Sequence, residues 1–590
     1  MIRKLIRQML TAQIFSALTV SLCLLIDSVM IGLFLGVEAI AAYQLANPIL
    51  LVIGALGSML SAGIQVSCSR SLGRGAQEET NAGYSSAVVL TAGISLFLML
   101  LVLVFRSPIA TGMGAGREGV LYDQTRGYLA GFIIGAPASM GALILVPFLQ
   151  MAGQSGLLIA AVLGMTVSDV ALDLLNVLVF HGGMFGMGLA SSISYYVALV
   201  VGCFYFLSKK CVFRFSRRLV TGKKISELFR CGVPAVFNMT SSVILIFLLN
   251  KILLGTGGSD AVAAYSVLTS IGNSSNCIAT GIGGVALTLA GILYSEEDRS
   301  SLEDVMKQLF RYSVVLGLAM GVILLVLAPV FVGFFIPKAG APQSMATLGV
   351  RLFAAGLVPC CINSALKNSY QVMGREKLTE AISLLEGAFF PVLAAFLLSR
   401  FLGTTGVWFF FVLGQTITLL AIGLYIRART RTAPWRNGAF LLLRDDFSVP
   451  PDHVLEANIR TIQEAEAVVR QAGAFCLGHG ESARTSNRIA LCIEEMTSNV
   501  ILHGFTKDAK PHHLSVRVLR KPDEWVLRFR DDCRAFDPIH YIPREGKDAL
   551  GIRLMLALAA DAKYIYSLNL NNLTLKLPAE KYLQRGQNTI

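Results

Sequence analysis

Charge is scarce in this sequence: 15% of its 590 residues are Asp, Glu, Lys or Arg, against 54% hydrophobic. Soluble domains carry about 25% charged residues, so the balance excludes a cytosolic enzyme, a disordered chain and a fibrous protein. CxxC spacing is missing, and of the eleven cysteines most, such as Cys23, Cys203 and Cys277, sit in apolar stretches as small buried hydrophobes. A GxxxxGK[ST] loop is also missing, which removes the Walker site that would power an ABC-type pump. No cleavable signal peptide is expected, because the first apolar stretch is too long and Arg3, Lys4 and Arg7 simply precede it. The net charge of +13 fits cytoplasmic loops facing anionic lipid, and nucleic-acid binding is not expected.

What the sequence has in abundance is long apolar runs. A spanning helix needs about 20 mainly apolar residues. Twelve candidates fall at 9–36, 43–68, 82–105, 124–151, 156–180, 185–208, 228–254, 261–294, 307–335, 345–372, 379–401 and 406–426. With the amino terminus inside, the loops predicted to be cytoplasmic carry Arg70 and Arg74, then Lys209, Lys210, Arg214, Arg217, Arg218, Lys223 and Lys224, then Arg375 and Lys377, then Arg427, Arg429 and Arg431. Several of the alternate loops are nearly charge-free, and the one holding Arg106, Arg117 and Arg126 is the weakest fit. This asymmetry places the protein in the inner or plasma membrane with both termini cytoplasmic.

The membrane part repeats at a shift of about 222 residues. Leu25-Ile26-Asp27 with Gly32 and Ala41-Ala42-Tyr43 recurs as Leu248-Leu249-Asn250 with Gly255 and Ala263-Ala264-Tyr265; Pro137, Gln150 and Gly153 recur as Pro359, Gln371 and Gly374. Two six-helix bundles follow, 1–208 and 228–428, joined by a basic cytoplasmic linker at 209–227 and enclosing a central cleft for substrate. Prolines 137, 147, 234, 359 and 391 fall within spans and are expected to kink them.

Ionisable groups at bilayer depth are costly and point to function. Asp27 and Asp173 lie at similar depth, roughly 13 Å and 10 Å below the outer ends of their helices. Asp169, Asp173 and Asn176, at i, i+4 and i+7, form one polar stripe. Together these four residues predict a cation-coupling pocket for H⁺ or Na⁺ in the first bundle; the alternative is a set of interhelical hydrogen bonds. The second bundle has Asn250 where Asp27 would recur, and offers Asn238, Asn273, Asn276, Asn363, Lys367, Asn368 and Glu386 as possible cleft or interhelical groups.

The run Asp27-Ser28-Val29-Met30-Ile31-Gly32 through Ala41-Ala42-Tyr43, the loop Arg70-Ser71-Leu72-Gly73-Arg74-Gly75, and Leu172-Asp173 with Gly186-Met187-Gly188-Leu189-Ala190 resemble the multidrug and toxic compound extrusion (MATE) transporters of the MOP flippase superfamily. The resemblance implies a cation-driven antiporter that exports small, cationic or amphipathic compounds by alternating access, with Asp27 as a coupling residue. The wider superfamily includes lipid-linked oligosaccharide flippases, which leaves a flippase as an alternative.

After a linker at 429–449 the composition turns mixed, and 450–590 reads as a cytoplasmic α+β domain. Segments 454–476 and 483–504 have helical periodicity, 514–518 and 525–529 alternate as strands, and Asn571-Asn572 is expected at a hairpin turn. Glu495, Asn499 and His503 recur every four residues on one helix face, a geometry able to hold a base beside a metal-bound phosphate. A strand runs into Asp531-Asp532-Cys533, and Ala549-Leu550-Gly551 opens another helix whose amino end is able to receive phosphate. In this order the motifs resemble the histidine-kinase-type (Bergerat) ATPase fold, in particular the anti-sigma-factor serine kinases. The resemblance implies Glu495 as general base, Asn499 as Mg²⁺ ligand, Asp531 as partner of the adenine amino group, ATP and Mg²⁺ as cofactors, and an anti-anti-sigma-like protein partner. Cys533 and Ala549 stand where that family has glycine, which puts bulk close to the nucleotide. The expectation is therefore an antiporter with a regulatory ATP-binding domain; the rival is a membrane-anchored serine kinase whose transporter half acts as a sensor.

Overall fold

The computed structural model describes residues 2–208, 211–336, 340–436, 438–444, 447–507, 510–541 and 550–579. Lys209, Lys210 and Ala549 lie outside them. The first half of the membrane region comprises α1 (Ile2–Phe34), α2 (Val37–Gly73), α3 (Gln77–Ala110), α4 (Val120–Ile133), α5 (Ala136–Met151), α6 (Ser155–Leu175) and α7 (Gly183–Cys203). The second comprises α8 (Gly222–Ser275), α9 (Cys277–Ser295), α10 (Arg299–Phe335), α11 (Ala341–Ala355), α12 (Leu357–Val372), α13 (Glu376–Leu384), α14 (Phe390–Leu402), α15 (Thr404–Val407) and α16 (Phe410–Thr430).

Among the described residues, nine helices are long and apolar enough to cross a membrane, or up to eleven if each of two bent pairs is one span. The bent pairs are α4 with α5 (47°) and α11 with α12 (48°). Pro137 opens α5 at the first bend, where its missing N–H costs no helical hydrogen bond. The difference from the twelve expected spans lies at 222–295, which forms one run of 74 residues. Its backbone leaves helical geometry at Gly258 (φ 66°, ψ −157°), a conformation open to glycine at no steric cost. The expected spans 228–254 and 261–294 lie on either side of that break.

The two halves meet most closely along α2. A Cβ at Gly63 would overlap the carbonyl of Leu228, and one at Gly232 the carbonyl of Met59, so α2 and α8 cross backbone to backbone there. Arg70 of α2 donates from Nε to Val372 O (2.8 Å) and from Nη2 to Gln371 O (2.9 Å). Arg3, Gly75, Met151 and Glu296 all lie against the C-terminal domain, which defines one end of the bundle as the domain side. The basic segments holding Arg70 and Arg375 gather at this same end.

Parts of the expected linkers are helical or packed. Residues 222–227 already belong to α8, whose Thr221 side chain caps the helix by accepting from Lys224 N. In the second linker Phe440 and Leu441 are buried in the membrane-region core, and Tyr370 Oη donates to Phe440 O (2.7 Å).

The C-terminal domain is a five-stranded antiparallel sheet of order β1-β2-β3-β5-β4, with β1 (Val454–Ile459), β2 (Leu514–Arg520), β3 (Glu524–Asp531), β4 (Asp561–Ser567) and β5 (Leu570–Pro578). Helices α17 (Ile462–Gly478), α18 (Ala483–Asn499) and α19 (Leu550–Leu558) pack on one face through Val516, Leu527, Phe529 and Leu575. Two expectations are corrected. The segment expected as helix from 454 begins as strand β1; α17 starts only after Thr461, which forms a capping box with Glu464. The β4–β5 turn is Leu568-Asn569, both residues left-handed (φ 57° and 59°), so Asn571 and Asn572 lie inside β5 instead.

Candidate functional site

Helix α6 carries Asp169 and Asp173 one turn apart and packs beside α1, which carries Asp27. All three carboxyls are buried, and Asp27 interacts electrostatically with both of the others. Asp27 lies within hydrogen-bonding reach of both Asp169 and Asp173, so the three carboxyls meet chiefly one another, and among the described residues Asp27 Oδ1, Asp169 Oδ1 and both Asp173 oxygens receive no hydrogen bond from an N–H or hydroxyl donor. Asp27 and Asp169 line a small cavity with Cys23, Tyr128, Ser194 and Tyr195, none of which brings a positive charge. Three adjacent buried carboxyls cannot all be ionised without a cation to compensate. Asn176 does not join it. Its Nδ2 donates to Gly183 O (3.1 Å) and its Oδ1 accepts from Gly182 N (3.1 Å), which spends the amide on closing the turn into α7.

A separate cavity of about 500 Å³ lies between the halves. Gln13, Ser61 and Gln65 line it from the first half; Asn238, Asn273, Asn276, Lys367, Asn368 and Glu386 line it from the second. Gln65 ties the halves together, donating to Gly284 O (2.9 Å) and Thr288 Oγ1 (2.6 Å). On the second-half wall Lys367 pairs with Glu386 and donates to Asn238 Oδ1 (3.0 Å). Asn363 is not a cleft group: fully buried, its Nδ2 donates to Gln415 O and Oε1, both at 3.0 Å. The cleft is thus amide-rich with apolar walls at Tyr265, Phe353 and Phe410, and among the described lining residues the one acid, Glu386, is paired with the one base, Lys367. Gln13 and Gln65 were not singled out from sequence, since an isolated glutamine in an apolar helix carries no spacing signal.

The C-terminal domain holds a third cavity, about 570 Å³, between the sheet and α18 and α19. Glu495, Asn499, His503, Asp531 and Gly551 all line it, so the motifs singled out along the chain converge on one site. Asp531 Oδ1 accepts from Asn571 Nδ2 (2.7 Å) and Cys533 N (3.0 Å). Burial pushes the Asp531 carboxyl up, and these donors offset part of that rise. Asn499 Nδ2 donates to Glu495 O (2.7 Å), which leaves the amide oxygen as the end able to bind a metal. A Cβ at Gly551 would overlap Glu495 Oε2, so a larger residue there would force the end of that side chain to move. Lys507 and Arg534 bring positive charge to the rim, and Phe536 and Tyr564 an aromatic wall. Asn571, missed when it was placed in a turn, accepts on Oδ1 from Tyr564 Oη (2.6 Å) and Phe536 N (3.0 Å) and so organises the floor. Cys533, where the resembled family has glycine, is buried and lines the cavity beside Gly504. The residues present fit a nucleotide with a divalent cation: carboxylate and amide for base and metal, basic side chains for phosphate.

The family model MatE matches residues 12–179 and 234–397, more than half of the chain and all within the membrane region. The multidrug export protein MepA of Staphylococcus aureus (strain NCTC 8325 / PS 47) is 25% identical over 439 residues, covering 72% of this chain and 90% of that protein. Protein DETOXIFICATION 42 of Arabidopsis thaliana is 22% identical, covering 60% and 67%. Among solved structures, a MATE protein in complex with MaL6 superposes with a TM-score of 0.68 at 18% identity, over 73% of this chain and 96% of that one. An outward-facing multidrug resistance MATE family transporter of the MOP superfamily superposes with a TM-score of 0.66 at 19% identity, over 73% and 96%.

Proposed function

Because this chain belongs to the MatE family, we propose that it is a multidrug-type exporter of small organic compounds, driven by inward movement of H⁺ or Na⁺ and fused to a nucleotide-binding domain. One observation carries the coupling: Asp27, Asp169 and Asp173 are buried against one another, with no basic side chain beside them among the described residues. A cation arriving from one side neutralises them, and its release to the other resets the charge. Their separation from the cleft lets ion and substrate act through helix movement rather than by competing for one carboxylate. We count twelve spans, taking the run broken at Gly258 as two, with both termini and the domain side cytoplasmic.

The amide-rich, apolar-walled cleft suits amphipathic solutes, and Glu386 is the acid that a cationic one would meet. The nucleotide reading rests on the convergence of Glu495, Asn499, Asp531 and Gly551. There Asp531 would meet the base, Asn499 the Mg²⁺ and Lys507 the phosphates, and the domain tunes transport without powering it. The sensor-kinase and flippase alternatives are not favoured by the family match.

Two experiments test these readings. The whole protein in proteoliposomes should export a fluorescent amphipathic cation under an imposed H⁺ or Na⁺ gradient, and Asp27→Asn and Asp173→Asn should each stop it; export by both variants would remove the carboxyls from coupling. Calorimetry on the whole protein in detergent should show Mg²⁺-dependent binding of adenine nucleotide that disappears in Asp531→Ala and Asn499→Ala. No heat at millimolar nucleotide, a limit of about 4 kcal/mol, would make the domain a protein-binding module.

A further inference from the structure

Alternate residues of a strand reach opposite faces of a sheet. In the C-terminal domain one face packs on the helices; the other, carrying Arg517, Arg530 and Asn572, packs on the membrane region. Arg530 Nη2 meets both carboxylate oxygens of Glu296 (2.8 and 2.6 Å), and its Nε donates to Asn572 Oδ1 (2.7 Å). Arg517 pairs with Asp298 and donates to Ser300 Oγ (3.2 Å), and Lys521 Nζ meets Glu297 Oε2 at 2.8 Å. All three acids sit on the α9–α10 turn of the second half.

The β4–β5 turn holds the other half. Leu568 N donates to Met151 O (2.9 Å) and Asn569 Nδ2 to Gly153 O (2.8 Å), at the α5–α6 turn. Ile565, Leu568 and Leu570 are buried in the same apolar cluster as the membrane helices. One rigid sheet therefore grips both halves at the end where Arg70 also bridges them. A cleft that opens toward that end has to part these turns.

We propose that the outer face of this sheet is a brace that holds the domain-side ends of the two halves together, and that nucleotide on its inner face changes the strength of that grip. The second clause rests on the nucleotide reading above. Its geometric basis is adjacency: Arg530 and Asp531 are consecutive on β3, Asn572 and Asn571 on β5, and the register pairs Arg530 with Asn572 and Asp531 with Asn571. Each strand thus puts one residue on the transporter and its neighbour in the nucleotide cavity, so a shift of either strand is felt on both faces.

The test uses the whole protein in proteoliposomes, with a cysteine introduced at cleft-lining Ser61 and its modification by a membrane-impermeant maleimide from the domain side read by peptide mass. Arg530→Glu and Glu296→Arg should each speed labelling at least about fivefold, a factor that a coupling of about 1 kcal/mol supplies. The combined swap, which restores the pair with reversed polarity, should return it toward the parent rate. Unchanged labelling in both single variants, or a folded swap that labels as fast as they do, would overturn the brace. Mg²⁺-ATP should change the parent's labelling rate but not that of Asp531→Ala. Nucleotide that binds by calorimetry without changing labelling would overturn the control while sparing the nucleotide reading. Absence of any binding would overturn both of those, leaving the brace to the swap alone.

Discussion

In the first half of the membrane region three carboxyls, Asp27, Asp169 and Asp173, are buried away from the cleft with no basic partner among the described residues. In the second half Asn250 stands at the position matching Asp27, and the acid that matters, Glu386, lies on the cleft wall already paired with Lys367. The halves differ in how they hold charge: the first gathers acids that have no basic partner among the described residues, and the second pairs its cleft acid with a base. That asymmetry is what an exporter needs if ion and substrate are to be handled by different halves. The least ambiguous way to break the comparison is to exchange the roles of equivalent positions. Asp27→Asn should eliminate gradient-driven export, whereas Asn250→Ala at the matching position should leave most of it, both measured as initial rates at equal protein. Equal losses would mean that the halves are not specialised.

The second prediction concerns stability. Lys367 and Glu386 are largely buried, so Lys367→Met leaves an uncompensated charge and should cost about 3–5 kcal/mol in thermal or denaturant unfolding, while Lys367→Met combined with Glu386→Gln should recover most of that. A double variant as unstable as the single one would show that the pair does more than balance charge.

A smaller effect is expected where the domain docks. Burial alone would raise the Asp298 carboxyl, but the Arg517 guanidinium and the Ser301 N–H outweigh it and hold the group below the ordinary carboxylate range. A depressed folded value means that the stabilisation is present above the unfolded value of about 3.9 and is lost as pH falls through the folded one. Protection factors in β2 and β3, which are exchange rates corrected for the intrinsic pH dependence of amide exchange, should therefore be unchanged from about pH 7 to 5 and fall only below about pH 4; loss of protection near pH 6 would assign the docking to another group. The smallest effect belongs to Gly551→Ala. The added Cβ meets only the mobile end of Glu495, so nucleotide affinity should drop a few-fold, on the order of 1 kcal/mol, without loss of folding.

Much of this architecture was legible beforehand because bilayers impose length and charge rules that single segments obey. Hydropathy located the apolar helices, and the similar depths of Asp27 and Asp173 anticipated that the two carboxyls lie near one another. Asn176 was misjudged because helical spacing shows which face a side chain starts from, not that a turn two residues beyond the helix pattern will consume it. Strand β1 was absorbed into the following helix because six residues before a helical pattern carry no period of their own. Asn571 was misplaced because the turn uses Leu568 and Asn569 in left-handed geometry without glycine. The docking face was invisible for another reason: Glu296 and Arg530 are 234 residues apart, and each alone resembles an ordinary surface charge.

The central claim is that a cation bound at the first-half carboxyls drives substrate outward. The most direct measurement is simultaneous recording of lumenal pH or Na⁺ and substrate efflux in proteoliposomes holding the whole protein. Substrate movement should be accompanied by opposite cation movement in the parent, and both should disappear together in Asp27→Asn. Substrate movement that continues in Asp27→Asn with the cation flux unchanged would contradict it.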